Sequence, residues 1–364
     1  MSEIAPEDAL RINVLMAGEI QAIRIDESKM VVHALSDKGE AEINLHPSGR
    51  PEQYLRQVKE LLAGLATGSP GGYPVHLRRW TRMGQARNEG LDKLLLFGEP
   101  EAVVSVACSS GLTDELARRV WWIMPDSQNA RRMLERNSVV EGKMGKVLVD
   151  FLIEFLPFET ESRVFLDTVR LILRSNLADF DARRKLWRMG QRDAACYVGF
   201  LEILPDDLPE QDPPRPGLEE VSCGMPFRDQ LLRVFSSPGQ TFLRKAEDAL
   251  KLPADRDVSR ALIDAISCYF SPIGLKACES IEEAMAQAKA FSEGQEFQEE
   301  CYAMAFLAST GSRVLHPLLS RTTASGTLLR DKLEPAFRPV LEQIAVLRGM
   351  PFSGQTRRFR GSRF

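Results

Sequence analysis

The chain has 364 residues, of which 44% are hydrophobic and 27% charged, a balance typical of globular proteins. Its 47 basic and 51 acidic residues give a net charge of −4, so composition predicts no general attraction to nucleic acid or to an anionic membrane. No segment approaches the roughly 18 consecutive apolar residues that span a bilayer, and the acidic N-terminus is not typical of a signal peptide. We therefore expect a cytoplasmic protein of two or three domains that makes no membrane contact.

Residues 1–70 are predicted to form a small antiparallel β meander with one helix. Segments 20–25, 30–35 and 41–45 alternate or are β-branched between turn signals, and we interpret 13–16 as an additional first strand. A sheet of three or four strands needs a covering element. The amphipathic segment 51–66, which opens on a proline, is predicted to be that helix.

A repeated motif dominates residues 71–204. Segment 112–124 recurs as 177–189 with seven of thirteen positions identical, and a shorter relative lies at 77–85. Segment 94–103 has the helix, acidic Pro-containing turn and second helix that are typical of HEAT repeats. The pattern predicts a mainly α fold with irregular HEAT-like helical repeats in this domain.

The remainder is predicted to comprise a linker, a second helical domain and a tail. Residues 205–224 are Pro-rich and acidic, which favours an extended spacer. Residues 225–350 form the C-terminal helical domain, and residues 351–364 a basic tail without a core. The helices of that domain are predicted at 227–236, 240–251, 257–270, 280–294, 297–309 and 327–348.

Each copy of the repeat places an arginine one turn before a tryptophan, so Arg118 can lie over Trp122 and Arg183 can reach Trp187. One interpretation is structural, with Asp114 pairing with Arg118, and its counterpart with Arg183, to hold neighbouring helices together. The alternative is one concave surface that binds an anion, an acidic partner or RNA. Its candidate residues are Arg78, Arg79, Trp80, Arg82, Arg118, Arg119, Trp122, Arg183, Arg184 and Trp187.

The tail adds Arg357, Arg358 and Arg360 as candidate partner-binding residues, with Phe359 and Phe364 able to stack on nucleic-acid bases. Contacts to about four phosphates give weak and strongly salt-dependent binding. A solvated tail is the alternative interpretation.

Neither a catalytic motif nor a metal or cofactor site is predicted. The four histidines lie far apart, and none is spaced from a cysteine or carboxylate as metal ligands are. The glycine-rich segments lack a phosphate-loop pattern. Cys268 and Cys278 form a thiol pair that could carry sulfur or sense redox state.

Segments 45–55 and 71–85 resemble the DsrS family, which accompanies the reverse dissimilatory sulfite reductase of sulfur-oxidising bacteria. The resemblance implies a cytoplasmic accessory or regulatory protein with a protein partner in the sulfite reductase system, and it transfers no site residue. From the residues themselves we predict a non-catalytic protein that binds macromolecules through a helical scaffold. The alternatives are a regulator that binds RNA or DNA and a thiol-dependent sulfur-handling enzyme.

Overall fold

The computed structural model describes residues 4–68, 90–217 and 227–350. The fold is mainly helical with a small three-stranded antiparallel sheet, as the sequence predicted. Contacts between Cα atoms divide the chain into two compact units, Met1–Phe155 and Leu156–Phe364. The boundary between these units lies inside the predicted repeat domain, and the finer division of the chain into five parts stays a prediction.

The first unit combines the sheet with helices. Its elements are α1 (Pro6–Met16), β1 (Ile20–Asp26), β2 (Val31–Ser36), β3 (Gly39–Asn44), α2 (Pro51–Thr67), α3 (Leu91–Leu94), α4 (Pro100–Ala107), α5 (Asp114–Ile123), α6 (Ser127–Leu134), α7 (Asn137–Val140) and α8 (Lys143–Phe155). The strand order is β1-β2-β3, and both neighbouring pairs are antiparallel. Side chains of α1 and α2 bury one sheet face in a single core that includes Ile12, Ile23, Ile43 and Tyr54.

The predicted strand at 13–16 is wrong, because these residues end helix α1. Pro6 occupies the first turn, where its missing N–H costs no hydrogen bond. Asp8 and Ile12 lie one turn apart and are fully buried. The Asp8 carboxylate accepts hydrogen bonds from the His46 backbone N–H at 2.6 Å and the Tyr54 hydroxyl at 2.5 Å. The helical spacing of buried side chains over the whole segment therefore outweighs the strand pattern of its last residues.

Helices joined by loops make up the described residues of the second unit. Its α-helices are α9 (Ser162–Ser175), α10 (Phe180–Met189), α11 (Ala194–Ile203), α12 (Arg228–Phe235), α13 (Ser237–Lys251), α14 (Arg256–Tyr269), α15 (Ile281–Ser292), α16 (Gln298–Ser309), α17 (His316–Leu319) and α18 (Gly326–Arg348). The six helices predicted for the C-terminal domain are confirmed, each within three residues at either end. Four of the six have a local end signal: α13, α14 and α15 begin at the polar N-caps Ser236, Asp255 and Ser280, and α18 ends at the left-handed Gly349.

The Pro-rich segment, called the strap below (residues 205–217), is bound to the second unit. Leu208 is 7% exposed. Asp212 donates its backbone N–H to the Thr241 hydroxyl at 2.7 Å, and Arg215 donates its own to the Phe235 carbonyl at 2.9 Å. The prolines keep the backbone extended, while these contacts hold it against α12 and α13, so this part of the predicted linker is no free spacer.

Candidate functional site: a charged cleft in the second unit

Arg118 and Arg119 of the first unit are paired within that unit. Glu115 accepts hydrogen bonds from Arg118 Nη2 at 2.7 Å and from Arg119 Nε at 2.9 Å. Hydrogen bonds from Arg118 first, and then from Arg119, lower the pKa of Glu115 to about 2. Arg118 Nη2 also donates to the side chain of Gln21 on β1 at 2.6 Å. Both cations are therefore neutralised locally, and Arg118 links α5 to the sheet.

Trp122 packs on the sheet rather than on Arg118. The guanidinium carbon of Arg24 lies 5.0 Å from the centre of the Trp122 ring, and the indole N–H donates to Glu40 at 2.8 Å. The predicted Arg118–Trp122 stacking is wrong: the cation at this ring is Arg24 of β1, while Arg118 is bound to Glu115 and Gln21. The indole joins α5 to β1 by a cation–π contact and to β3 by a hydrogen bond.

Arg183 and Arg184 make different contacts in the second unit. Arg183 donates to Asp207 of the strap at 3.1 Å and to Asn176 at 2.8 Å. Arg184 lies 5.5 Å from the ring of Phe180, which is 67% exposed. Arg183 therefore holds the strap, whereas Arg184 remains at the surface.

Trp187 is a core residue, with 4% of its surface exposed. Its rings lie 5.0 Å from Tyr197 in an edge arrangement, and its cationic neighbour is Lys245 Nζ, 5.3 Å from the ring centre. The indole N–H donates to Glu210 of the strap at 2.8 Å. The expected approach of Arg183 to this ring is wrong: Lys245 from α13 lies at the ring, while Arg183 is bound to Asp207 and Asn176.

The two repeat copies share a mode of attachment. Trp122 and Trp187 each donate the indole N–H to a glutamate at 2.8 Å, and each lies beside a cation from another element. Their helix starts differ by one position, because Thr113 caps α5 whereas the aligned position holds an alanine and Asp179 caps α10. Asp114 instead accepts the first backbone N–H groups of α8, and not the predicted bond from the arginine one turn later. The repeated residues thus serve helix attachment.

The rest of the predicted surface cannot be placed from the described residues. Arg78, Arg79, Trp80 and Arg82 lie outside them, as do the tail arginines Arg357, Arg358 and Arg360. The described candidates belong to separate units, so the single concave arginine surface stays a prediction.

A dense ion network surrounds Trp187 and joins the strap to α13. Glu210 accepts from Arg244 at 2.7 Å and lies 3.1 Å from Lys245 Nζ, while Asp212 accepts from Arg244 at 2.5 Å. Burial raises the pKa of Glu210, but hydrogen bonds from Arg244, Trp187 and Lys245 outweigh it and lower the pKa to about 2. Lys245 is only 4% exposed, so its charge requires these partners. Each charged group of this network has a partner of opposite charge, and the network stabilises the unit.

The second unit also has a cleft of about 440 Å³ between α9, α11 and α14. Its lining alternates charged and apolar side chains around one thiol. The lining residues are Asp167, Arg170, Arg174, Leu201, Glu202, Ile203, Pro205, Arg233, Asp264, Ala265, Cys268 and Tyr269.

Two arginines of this cleft are held by carboxylates. Arg170 donates through Nε and Nη2 to both oxygens of Glu202 at 2.6 Å, and through Nη1 to Asp167 at 2.9 Å. The Glu202 carboxylate raises the pKa of Arg170 well above its usual range. Arg233 makes the equivalent fork with Asp206, at 2.8 and 2.7 Å. Forked pairs of this kind fix side-chain position as well as charge.

Three side chains at the cleft are exposed to solvent: Arg174, Asp264 and Cys268. Arg174 and Cys268 are exposed, and Arg174 has no ion pair among the described residues. Asp264 is exposed and accepts the Ser312 backbone N–H at 2.8 Å. Beneath them, the buried Tyr269 hydroxyl has no hydrogen-bond partner within the described chain, and burial raises its pKa. The cleft can therefore bind a polar, mixed-charge surface. No histidine occurs among its described lining residues to activate the thiol.

Arg170 and Arg233 were absent from the sequence-based candidates. Asp167 and Arg170 lie three residues apart on an amphipathic helix, which is a usable signal of an ion pair. Arg233 and Asp206 are 27 residues apart and meet only because the strap crosses α12. No local pattern identifies the second pair.

Comparison with known proteins gave no match: no family model, no curated protein and no solved structure is similar to this chain. Segment 71–85, which carries most of the DsrS resemblance, lies outside the described residues. Across residues 4–68, 90–217 and 227–350, no helix has both the length and the apolar character to cross a bilayer. The same residues contain no group of three or more side chains arranged to hold a metal ion.

Proposed function

We propose that the chain is a non-catalytic accessory or regulatory protein that binds a protein partner through its helical scaffold. The observation that supports this proposal is the cleft of the second unit. There the side chains of Arg174 and Asp264 are exposed, while the neighbouring arginines are held in place by carboxylates. Opposite charges on a preformed, partly apolar surface favour a specific protein interface over simple anion binding.

The irregular HEAT-like array belongs to this proposal. Its support is the sequence identity of the two copies together with the shared attachment of Trp122 and Trp187. Stacked helical units commonly present extended binding surfaces. The DsrS resemblance supplies the proposed setting, cytoplasmic sulfur oxidation, and the proposed partner, a protein of the sulfite reductase system.

The test is affinity purification of the tagged chain from cells that naturally express it, with and without nuclease. The cleft variant is the double substitution Arg174→Glu with Asp264→Lys, and the matched control is Arg321→Glu, at an exposed arginine outside the cleft. We expect sulfite reductase proteins with the wild type and the control after nuclease, and about tenfold less with the cleft variant, because reversed charges oppose each other across the interface.

Other outcomes would contradict the proposal. Nucleic acid as the main companion, released by salt, would favour the RNA- or DNA-binding regulator. Equal recovery with the cleft variant would remove the cleft from the interface. Recovery of the bare chain under both conditions would argue against a binding protein and in favour of an enzyme.

The exposed Cys268 in the cleft favours a second candidate, a thiol-dependent sulfur-handling enzyme. Cys278 fits this role less well, since burial and then Glu283 raise its pKa. Incubation of the reduced chain with a persulfide donor tests the idea by mass spectrometry. Sulfur on Cys268 in the wild type and none in Cys268→Ser would support it, and an unmodified thiol would end it.

A further inference from the structure

A second concave surface lies in the first unit, between helix α1 and strand β3, and has a volume of about 450 Å³. Its helical wall includes Leu10 and Val14, which lie one turn apart and are 63% and 67% exposed. Its other wall is the backbone and side chains of Glu42, Ile43 and Asn44. Two large apolar side chains thus face solvent beside a sheet edge.

Within the described part of the chain, that edge has backbone groups that no other strand pairs. Among the described residues β3 pairs only with β2. Leu45 donates its N–H to the Met30 carbonyl, and bonding to β2 alternates along an antiparallel strand. Ile43 is therefore also bonded to β2, while Glu42 and Asn44 direct their N–H and C=O groups away from the sheet. Free edges of this kind accept another strand.

We propose that this groove binds an extended segment of a partner protein, which adds to β3 as a fourth strand and alternates apolar and basic residues. Ile43 lies in the core on the α1 side of the sheet, so alternate side chains of the added strand would meet Leu10 and Val14. The intervening side chains would lie on the opposite face beside Glu40 and Glu42, both exposed acids. Opposite charges in neighbouring strands favour pairing.

The remaining charge of the groove does not oppose this partner. Arg11 lines the helical wall, but it is paired with Glu7 at 2.5 Å. On the opposite face Glu40 accepts the Trp122 indole N–H and Glu42 lies 3.0 Å from His33 Nδ1, but both carboxylates stay exposed. A basic segment would therefore meet opposite charge there, and an acidic segment would meet like charge. Because main-chain bonds give affinity and alternate side chains give specificity, the period of the segment matters more than its composition.

The first test measures binding of labelled peptides to the full-length chain by fluorescence anisotropy. The probe is a peptide of about eight residues that alternates valine and arginine, and its control is the isomer with the same residues in two blocks. We expect the alternating peptide to bind at least about tenfold more tightly. Equal affinity of the two isomers would overturn the proposal.

A second test uses N-methylated forms of the alternating peptide with unchanged protein. Methylation of the N–H groups that face β3 should abolish binding, whereas methylation at the intervening positions should be tolerated. The loss of affinity should therefore recur at every second residue of the peptide. A scan without this period would mean that the peptide adheres to the apolar surface without forming a strand.

Protein variants locate the site. Val14→Glu places a charge in the groove, and Glu42→Pro removes an outward N–H while sparing the bonds to β2. Val147→Glu is the matched control, since Val147 is apolar, 46% exposed and on α8. Both groove variants should bind at least about tenfold more weakly with unchanged circular dichroism. Wild-type affinity in both would refute the assignment. This surface is independent of the cleft, so failure of either proposal leaves the other testable.

Discussion

Arg215 joins the strap to the last helix, and its replacement by methionine tests whether the strap is part of the folded unit. The guanidinium donates to the carbonyls of Val346 and Leu347 at 2.9 and 3.1 Å and to Glu300 at 2.6 Å. Its central carbon lies 4.5 Å from the ring of Phe235. One side chain therefore satisfies the end of α18 and a carboxylate of α16 at the same time.

The magnitude follows from burial. The side chains of Arg215 and Glu300 are only 18% and 13% exposed, so their pairing is weakly screened. Arg215→Met keeps much of the apolar stem but leaves a nearly buried carboxylate without its cation and removes one of the two donors to each helix-end carbonyl. Removing one partner of a buried pair costs about 3–5 kcal/mol. For a unit of this size we expect a fall in Tm of roughly 10 °C.

Thermal and denaturant unfolding followed by circular dichroism would measure the loss. In a Glu300→Gln background, Arg215→Met should cost about 1–3 kcal/mol less, since the charge has already been removed. Arg313→Met is the control, because Arg313 is 72% exposed and lies 3.8 Å from Glu279, and it should change the free energy of unfolding by less than about 0.5 kcal/mol. A loss below about 1 kcal/mol for Arg215→Met would refute the reasoning.

Three further predictions concern pH, packing and thiol access. The pKa of Glu210 falls from 4.5 to about 2 on folding, so the ionised carboxylate stabilises the fold fully above the unfolded-state pKa, and this contribution is lost as pH drops toward the folded-state pKa. Unfolding free energies measured at about pH 5 and about pH 3 should therefore differ less for Glu210→Gln than for the wild type. Gly142→Ala would place a Cβ 2.2 Å from the carboxyl group of Asp114 and displace this cap of α8, so we expect a loss of about 1–2 kcal/mol in thermal unfolding, and an unchanged Tm would contradict the cap. Peptide mass spectrometry after brief labelling of the native chain should find Cys268 modified and Cys301 protected, because Cys301 is 1% exposed and burial raises its pKa to about 11; equal labelling would be inconsistent with the described burial.

Local chemistry predicted most of the helices and the sheet. Helix α2 begins at Pro51, as expected from a proline in a first turn, and ends one residue after the predicted end, beside a left-handed Gly68. The three strands of the meander follow the alternation between turn signals. The exception is α1, a helix that the sequence analysis did not predict, because the strand pattern of its last four residues conflicted with the longer helical spacing of Asp8 and Ile12.

The candidate site was less predictable, because its contacts join residues distant in sequence. The spacing of Arg118 and Trp122 correctly placed both on one helix, but their partners come from the sheet. Arg233 became a cleft residue only through Asp206 of the strap. Pairs across such distances leave no periodic signal in one sequence.

The sequence by itself determined the three strands of the meander, helix α2 and the six helices of residues 225–350 to within three residues, since caps, prolines and hydrophobic period act within one or two turns. It also determined that segments 112–124 and 177–189 would form similar helices. Only the tertiary structure decided which charges are neutralised and which remain open. Arg183 is bound by the strap because the folded backbone brings Asp207 next to it. Arg174 remains exposed, and no described carboxylate forms an ion pair with it. Charge compensation depends on distances in space, and the spacing of residues along the chain does not specify those distances.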